Sequence, residues 1–377
     1  MKALFSGSFD PFTLGHLDIV KKALKKFDEL IICVSNNEQK KHLLSLQERK
    51  RIIDAALSDL QTPKKITVIC NTGTTIDVAL KYKVDTLIRG IRNPDDIENE
   101  KNLAQINEQL AQIRGFKINH YFVWQSDPFL KSASSSVVRR LCAVEEYIVA
   151  ALYVPQNVHQ ELMSIYLKPH FRNLFAKAYI PRTEELWSNL VNIYKSRPYH
   201  NLTHLGYMLN MYKIYLTHAN EKEITPHTSF NITLAIFLHD YIYDVERNDN
   251  EEASAKLAHE IWKGAIFYQP KNVLFDLIMA TKHINDEPLT GDAAILADID
   301  LSLLGTSSPQ IWENYSEGIR KEYAIYSDQQ YAKGRIDFLK RLLLRKRIFN
   351  TDFFYQLYEK QARKNIKKEI FKLKKLL

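Results

Sequence analysis

What narrows the possible folds most is a change of rhythm part-way along the chain. Through about residue 165 short β-rich runs alternate with amphipathic helical segments, and after about Pro169 the strand signal disappears. Ala3 to Ser6, Leu30 to Val34, Ile66 to Cys70, Thr86 to Ile88 and Ile118 to Val123 are expected to be strands. Between the first two, Leu17, Val20, Leu24 and Phe27 recur at helical spacing with lysines on the other face. Such alternation predicts a doubly wound, Rossmann-like parallel α/β sheet whose ligands sit at the carboxyl ends of the strands. The remainder is a series of long amphipathic segments broken by Pro181, Pro198, Pro226, Pro270, Pro288 and Pro309, and predicts an all-α region. We therefore expect two domains, residues 1–165 and 166–377, in a chain of 377 residues that is too long for one ordinary core.

Composition limits the function classes. The chain contains no run of about 18 or more uncharged apolar residues, and its start passes directly into Ser6-Gly7-Ser8, so neither a membrane span nor a signal peptide is expected and a cytoplasmic location is. Cys33, Cys70 and Cys142 lack metal-knuckle or disulfide spacing and are expected to be buried thiols. A net charge of +8 fits substrates that carry several phosphates as well as it fits nucleic acid. The densest basic stretch, Lys360 to Lys375, carries Ile366, Ile370, Leu373 and Leu377 at helical spacing and is expected to be a surface helix with one packed stripe. Nucleic acid is therefore not the expected partner.

The segment from Gly7 to His16 follows the first strand and precedes the first helix. Gly7 and Gly15 would let backbone approach a ligand, Pro11 would fix the loop, and the helix starting near His16 would direct free N–H groups at an anion. His16 could then donate to an α-phosphate oxygen, with Ser8 as a second donor.

Thr13-Leu14-Gly15-His16 resembles the T/HxGH signature of class I nucleotidylyltransferases, and the chain to about residue 165 is similar to the phosphopantetheine adenylyltransferase family. Lys40-Lys41, Leu87 to Arg92, Glu98 to Glu100, the serine run Ser134 to Arg139 and Pro155 to His159 carry that likeness onward. The resemblance implies transfer of an adenylyl group from ATP, with Mg²⁺, to 4'-phosphopantetheine, giving dephospho-coenzyme A, in a homo-oligomer. It further implies that Ser8, His16 and Lys40 are catalytic, and that Ser8, Lys40, Thr75 and Arg89 hold the acceptor. Gly7, Ser8, Phe9, His16, Gly90, Arg92, Glu100, Ser134, Ser135 and Ser136 would hold the nucleotide. Thr74-Thr75 and Asn99 depart from the family pattern and leave another phosphorylated acceptor open.

The helical half carries His200 and His204, then His239-Asp240, then His283, then Asp298 and Asp300. An adjacent His-Asp pair at the end of the apolar run Leu234 to Leu238 would be costly to bury without a partner. The series resembles the HD superfamily of metal-dependent phosphohydrolases over about residues 183 to 366. That resemblance implies a divalent metal on His204, His239, Asp240 and Asp298, with His200, His283 and Asp300 as rivals, and hydrolysis of a phosphorylated or nucleotide substrate. A di-iron oxygenase, or a sensing or oligomerising module without catalysis, are the alternatives for this half.

Overall fold

The computed structural model describes residues 1–377 apart from 37–41, 219–225, 263–272 and 285–286, and it divides into two compact units, Met1–Leu162 and Met163–Leu377. In the first unit five strands, β1 (Lys2–Gly7), β2 (Glu29–Ser35), β3 (Lys65–Asn71), β4 (Thr86–Ile91) and β5 (Asn119–Trp124), form one sheet in the order β3-β2-β1-β4-β5. Every pairing is parallel, with Leu4 opposite Ile31 on one side and Leu87 on the other. Parallel strands covered on both faces have near-continuous apolar runs. β2 shows this: its central five residues, Leu30 to Val34, are all buried.

The helices are α1 (Leu14–Lys26), α2 (Leu46–Ser58), α3 (Thr75–Tyr82), α4 (Pro94–Ile113), α5 (Pro128–Ser132), α6 (Ser135–Ala143) and α7 (Tyr147–Ala150). Capping boxes at Thr13, Ser45, Thr74 and Asn93 mark the starts of the four helices that connect successive strands. β4 runs three residues beyond the expected Thr86 to Ile88, because Arg89, Gly90 and Ile91 pair with Phe122, Val123 and Trp124 of β5. Strand order reverses between β1 and β4. The crevice of such a sheet opens at the carboxyl ends of those two strands, where Gly7 and Arg89 to Arg92 emerge.

Helix α8 (Gln156–Tyr166) contains the cut between the units, and no strand occurs among the described residues beyond it. The second unit comprises α9 (Lys168–Lys177), α10 (Thr183–Lys195), α11 (Leu202–His218), α12 (Pro226–Leu238), α13 (Asn250–Trp262), α14 (Val273–Ala280), α15 (Gly291–Leu301), α16 (Pro309–Glu322), α17 (Asp328–Leu344) and α18 (Asp352–Leu373). Leu234 to Leu238, the last five residues of α12, are all buried. On α18, Ile366, Ile370 and Leu373 pack as expected, whereas Leu377 lies past the helix end and is exposed. No helix among the described residues is long and apolar enough to cross a membrane.

Candidate active sites

In the first unit Thr13 caps α1, and its backbone N–H donates to His16 Nδ1 at 3.0 Å. The Thr13 hydroxyl is engaged elsewhere, donating to the Ala133 carbonyl at 2.7 Å. His16 Nδ1 is thus the unprotonated ring nitrogen and Nε2 carries the hydrogen. Among the described residues nothing accepts from Nε2. The ring lies among Phe5, Phe9 and Phe12, with centroids 5.1 Å from Phe9 and 5.5 Å from Phe12. Burial, and secondarily the Arg92 guanidinium, lower the His16 pKa from 6.5 to about 3, so the imidazole is neutral at physiological pH.

Phe9 holds a φ of 48°, a left-handed conformation that non-glycine residues seldom adopt. Its buried ring fills the space beside Gly7, where an added Cβ would lie 2.9 Å from Phe9 Cζ. The expectation that Gly7 and Gly15 admit a ligand is therefore corrected. A Cβ on Gly15 would lie 2.8 Å from the Ala133 carbonyl oxygen and 3.0 Å from that of Leu130. Both glycines make room for the protein's own packing. Gly90 does likewise, since a Cβ there would lie 2.3 Å from Ile19 of α1.

The loop is tied to the serine run. Ser135 donates to the Pro11 carbonyl at 2.8 Å, and Arg139 donates to the Asp10 carbonyl. Ser134 caps α6 by accepting from Val137 N, and Ser136 accepts from Arg139 Nη2 at 3.4 Å. Ser135 is thus already bonded to the loop, and the N-terminus of α6 lies beside residues 10–13.

Two residues to which the sequence reading attached no role hold the cleft. Asp10, almost fully buried, accepts from the amides of Leu43 and Leu44 at 2.8 and 3.1 Å. Arg49, 1% exposed, donates to the carbonyls of Ser8 at 2.8 Å and Ser35 at 3.0 Å, clasping the carboxyl ends of β1 and β2. Asp10 follows a glycine-containing loop and Arg49 lies on a capped helix, but neither setting marks a buried charge in sequence.

Lys40 lies outside the described residues. Thr75 opens α3 and donates to Ser6 Oγ at 3.2 Å, beside the end of β1. Arg89 and Glu100 face each other with Nε to Oε2 at 3.6 Å, and those two atoms are buried without a hydrogen bond. Burial lowers the Arg89 pKa and raises that of Glu100. Arg92 follows β4, and its amide donates to Asp96.

In the second unit α12 ends at Leu238, directly before the His239-Asp240 pair. Arg197 holds that turn by donating to the Asp240 and Tyr241 carbonyls. His239 Nδ1 donates to the Ile236 carbonyl at 3.0 Å, which leaves Nε2 to face His204 and Asp240. His204, in the first turn of α11, presents its own Nε2 to that of His239 at 3.4 Å. Asp240 Oδ2 lies 3.1 Å from His239 Nε2, and Asp300 Oδ1 lies 3.3 Å from His204 Nε2. Burial alone would raise the Asp240 pKa, but His239 and His200 hold it well below the usual carboxylate range.

The expected ligand Asp298 is corrected. Its carboxylate accepts four hydrogen bonds, from N and Nδ2 of Asn350 and from N and Oγ1 of Thr351, at 2.7–2.9 Å, and it is fully buried. Two residues along α15, about 200° around the helix, Asp300 faces His204 instead. Its other oxygen meets His283 Nε2 at 2.7 Å. His200 stands 3.9 Å from Asp240, with Nδ1 bonded to Glu322 at 2.6 Å. Glu322 also accepts from the amides of Tyr199 and His200, an orienting role that no sequence pattern marked. Arg320 donates to the Asp328 carboxylate and to the Tyr323 and Tyr326 carbonyls.

His204, His239 and Asp240 could hold a metal ion, their ligand atoms lying within 4.8 Å of one another. Two nitrogens each about 2.1 Å from one ion and at roughly a right angle lie about 3 Å apart. The separations of 3.1–3.4 Å are close to that spacing, and imidazole with carboxylate suits a divalent transition metal.

Comparison with known proteins separates the two units. Residues 4–141 match the cytidylyltransferase-like family. Phosphopantetheine adenylyltransferase of Flavobacterium johnsoniae is 47% identical over 112 residues, 30% of this chain and 72% of that protein. The enzyme of the same name from Lactococcus lactis is 34% identical over 163 residues, covering 43% of this chain and 94% of the relative. That of Shouchella clausii is 33% identical over 165 residues, covering 44% and 98%. Through its N-terminal nucleotidyltransferase unit, the chain belongs to the phosphopantetheine adenylyltransferase family.

Proposed function

We propose that the first unit transfers the adenylyl group of ATP to 4'-phosphopantetheine, forming dephospho-coenzyme A and pyrophosphate. The observation that supports this reading most directly is the fixed tautomer of His16, which leaves Nε2–H as its donor at the start of α1, with the Arg92 guanidinium near enough to lower its pKa. An oxygen of the acceptor phosphate attacks the α-phosphorus, the bond to the bridging oxygen of the β-phosphate breaks, and pyrophosphate leaves. His16 Nε2–H donates to a non-bridging α-oxygen as charge builds there, and neutrality lets it donate without exchanging a proton. Arg92 and the amides at the start of α6 would hold the polyphosphate, and Arg89 the acceptor phosphate, with Lys40 joining it there. Mg²⁺ accompanying ATP would neutralise the leaving group.

Pyrophosphate release from ATP, measured with a panel of phosphorylated acceptors, tests this reading. 4'-Phosphopantetheine should give the highest kcat/KM, and preference for another acceptor would retain the chemistry while replacing the substrate.

For the second unit we propose a metal-dependent phosphohydrolase on the opposed Nε2 atoms of His204 and His239. His204, His239, Asp240 and Asp300 would hold the cation, which when bound supplies Lewis acidity towards a phosphoryl oxygen and lowers the pKa of a water. His200, steadied by Glu322, and His283, beside Asp300, would contact the substrate phosphate. Metal analysis of the full chain, paired with phosphate release from a phosphoester panel in Mn²⁺, Co²⁺ and Fe²⁺, tests it. Bound metal without release in any of them would favour the oxygenase alternative. An intact fold with no bound metal, and affinity for added metal unchanged by Asp240→Ala, would leave the sensing or oligomerising role.

A further inference from the structure

The candidate metal cluster opens into a cavity of about 500 Å³ that runs from His200, Asp240 and Asp300 to one face of α17. That is the size of a pocket for a compact organic molecule, well beyond what a phosphate group requires. Six tyrosines line it, Tyr199, Tyr243, Tyr315, Tyr323, Tyr326 and Tyr331. Several hydroxyls are already bonded within the protein. Arg335 donates to Tyr315 Oη at 2.6 Å, and Tyr326 Oη donates to the Val245 carbonyl at 3.2 Å. Such side chains offer a ligand their ring surfaces more than their polar ends. Lys282 and Arg341 add positive charge to the lining and Glu251 negative charge. Arg335 lies there too, but its charge is matched by Glu369 at 2.9 Å.

Gly334 lines this cavity from within α17. Glycine in a helix interior costs about 1 kcal/mol relative to alanine, so its presence calls for a reason. Packing does not supply one: a Cβ at Gly334 would meet nothing within 4 Å, whereas one at Gly305 would lie 2.5 Å from Tyr358. Gly334 is exposed, and its missing side chain leaves that part of the cavity lining open.

We infer that the second unit takes a phosphate ester whose organic part carries an aromatic ring, stacked among these tyrosines, and that Gly334 sets how long that part can be. This rests on the phosphohydrolase reading for the phosphate end, while the ring end stands on the cavity alone. Tyrosine faces select a flat ring over a flexible alkyl chain because stacked and edge-to-face ring pairs add to simple area burial.

The test uses the full-length protein and two probes of similar apolar size, 1-naphthyl phosphate and hexyl phosphate. Affinities are measured by calorimetry in chelator, so that no turnover intervenes, and phosphate release is measured separately with Mn²⁺. 1-Naphthyl phosphate should bind about 10-fold more tightly than hexyl phosphate. Gly334→Leu should weaken the naphthyl ester about 10-fold or more, with Gly334→Ala intermediate, since one or a few methylenes in a pocket change affinity by that order. Both substitutions favour helix, so unchanged circular dichroism is expected to accompany the loss. Absent naphthyl binding, equal affinity for the two probes, or an affinity indifferent to Gly334→Leu overturns the inference. Binding that responds to Gly334→Leu without phosphate release in Mn²⁺ retires the Mn²⁺-dependent hydrolase alone. Release with an unresponsive pocket retires the ring site alone.

Discussion

The backbone amide of Thr13 holds the imidazole of His16, N to Nδ1 at 3.0 Å, and so determines which ring nitrogen carries the hydrogen. A residue that caps the helix therefore also sets the state of the proposed catalytic donor. Replacing His16 by alanine should lower kcat for pyrophosphate release by about 10²–10³, the usual cost of a lost donor to a developing charge. KM for ATP should change much less. Steady-state kinetics on the purified variant check this, and an unchanged kcat would dismiss His16 as the donor.

The same residue makes a pH prediction. The folded-state pKa of His16, about 3, lies below its ordinary 6.5, so between those values the unfolded chain binds the extra proton. Its contribution to stability is therefore complete above about pH 6.5 and is lost as pH falls towards 3. In denaturant titrations between pH 4 and 7, His16→Gln should lose less stability on acidification than the wild type does. Above pH 6.5 the difference between the two should not vary with pH on this account.

Arg89 and Glu100 face each other across 3.6 Å with buried, unbonded atoms, which suits a pair that opens to admit an anion. Arg89→Ala should raise KM for the acceptor about 10-fold or more and leave KM for ATP nearly unchanged, because a charge-assisted bond to phosphate is worth roughly 1.5–3 kcal/mol. Acceptor and ATP titrations distinguish this from a general loss of activity.

Asp298 and Asp300 should separate under substitution. Asp298→Ala removes the acceptor of four hydrogen bonds and leaves buried donors of Asn350 and Thr351 unmatched, and should destabilise the protein by about 2–4 kcal/mol. Asp300→Asn should leave the melting temperature nearly unchanged while reducing bound metal. Calorimetry and elemental analysis of both variants check the distinction; equal metal loss with equal destabilisation would contradict it.

Gly15→Ala should destabilise the first unit by about 1–3 kcal/mol, since the new methyl group would press on backbone carbonyls of Leu130 and Ala133, which cannot turn aside as a side chain can. Gly7→Ala meets a phenyl ring and should cost less. Thermal melts of the two variants give the order.

The alternation of β-rich and helical segments by itself determined the parallel sheet and the all-helical second region, because periodicities of 2 and 3.6 are local properties of a chain. The sequence placed the first helix near His16, and α1 begins two residues earlier, at Leu14. Only the tertiary structure decided what each side chain faces. Asp298 and Asp300 are the same residue type two positions apart, yet one is closed off by Asn350 and Thr351 and the other turned to His204 and His283. Gly15 proved to accommodate the distant backbone of Leu130 and Ala133, and Arg49 proved to be a buried clasp between strand ends. Partners of this kind are brought together by folding across tens of residues, and no local spacing records which of them will meet.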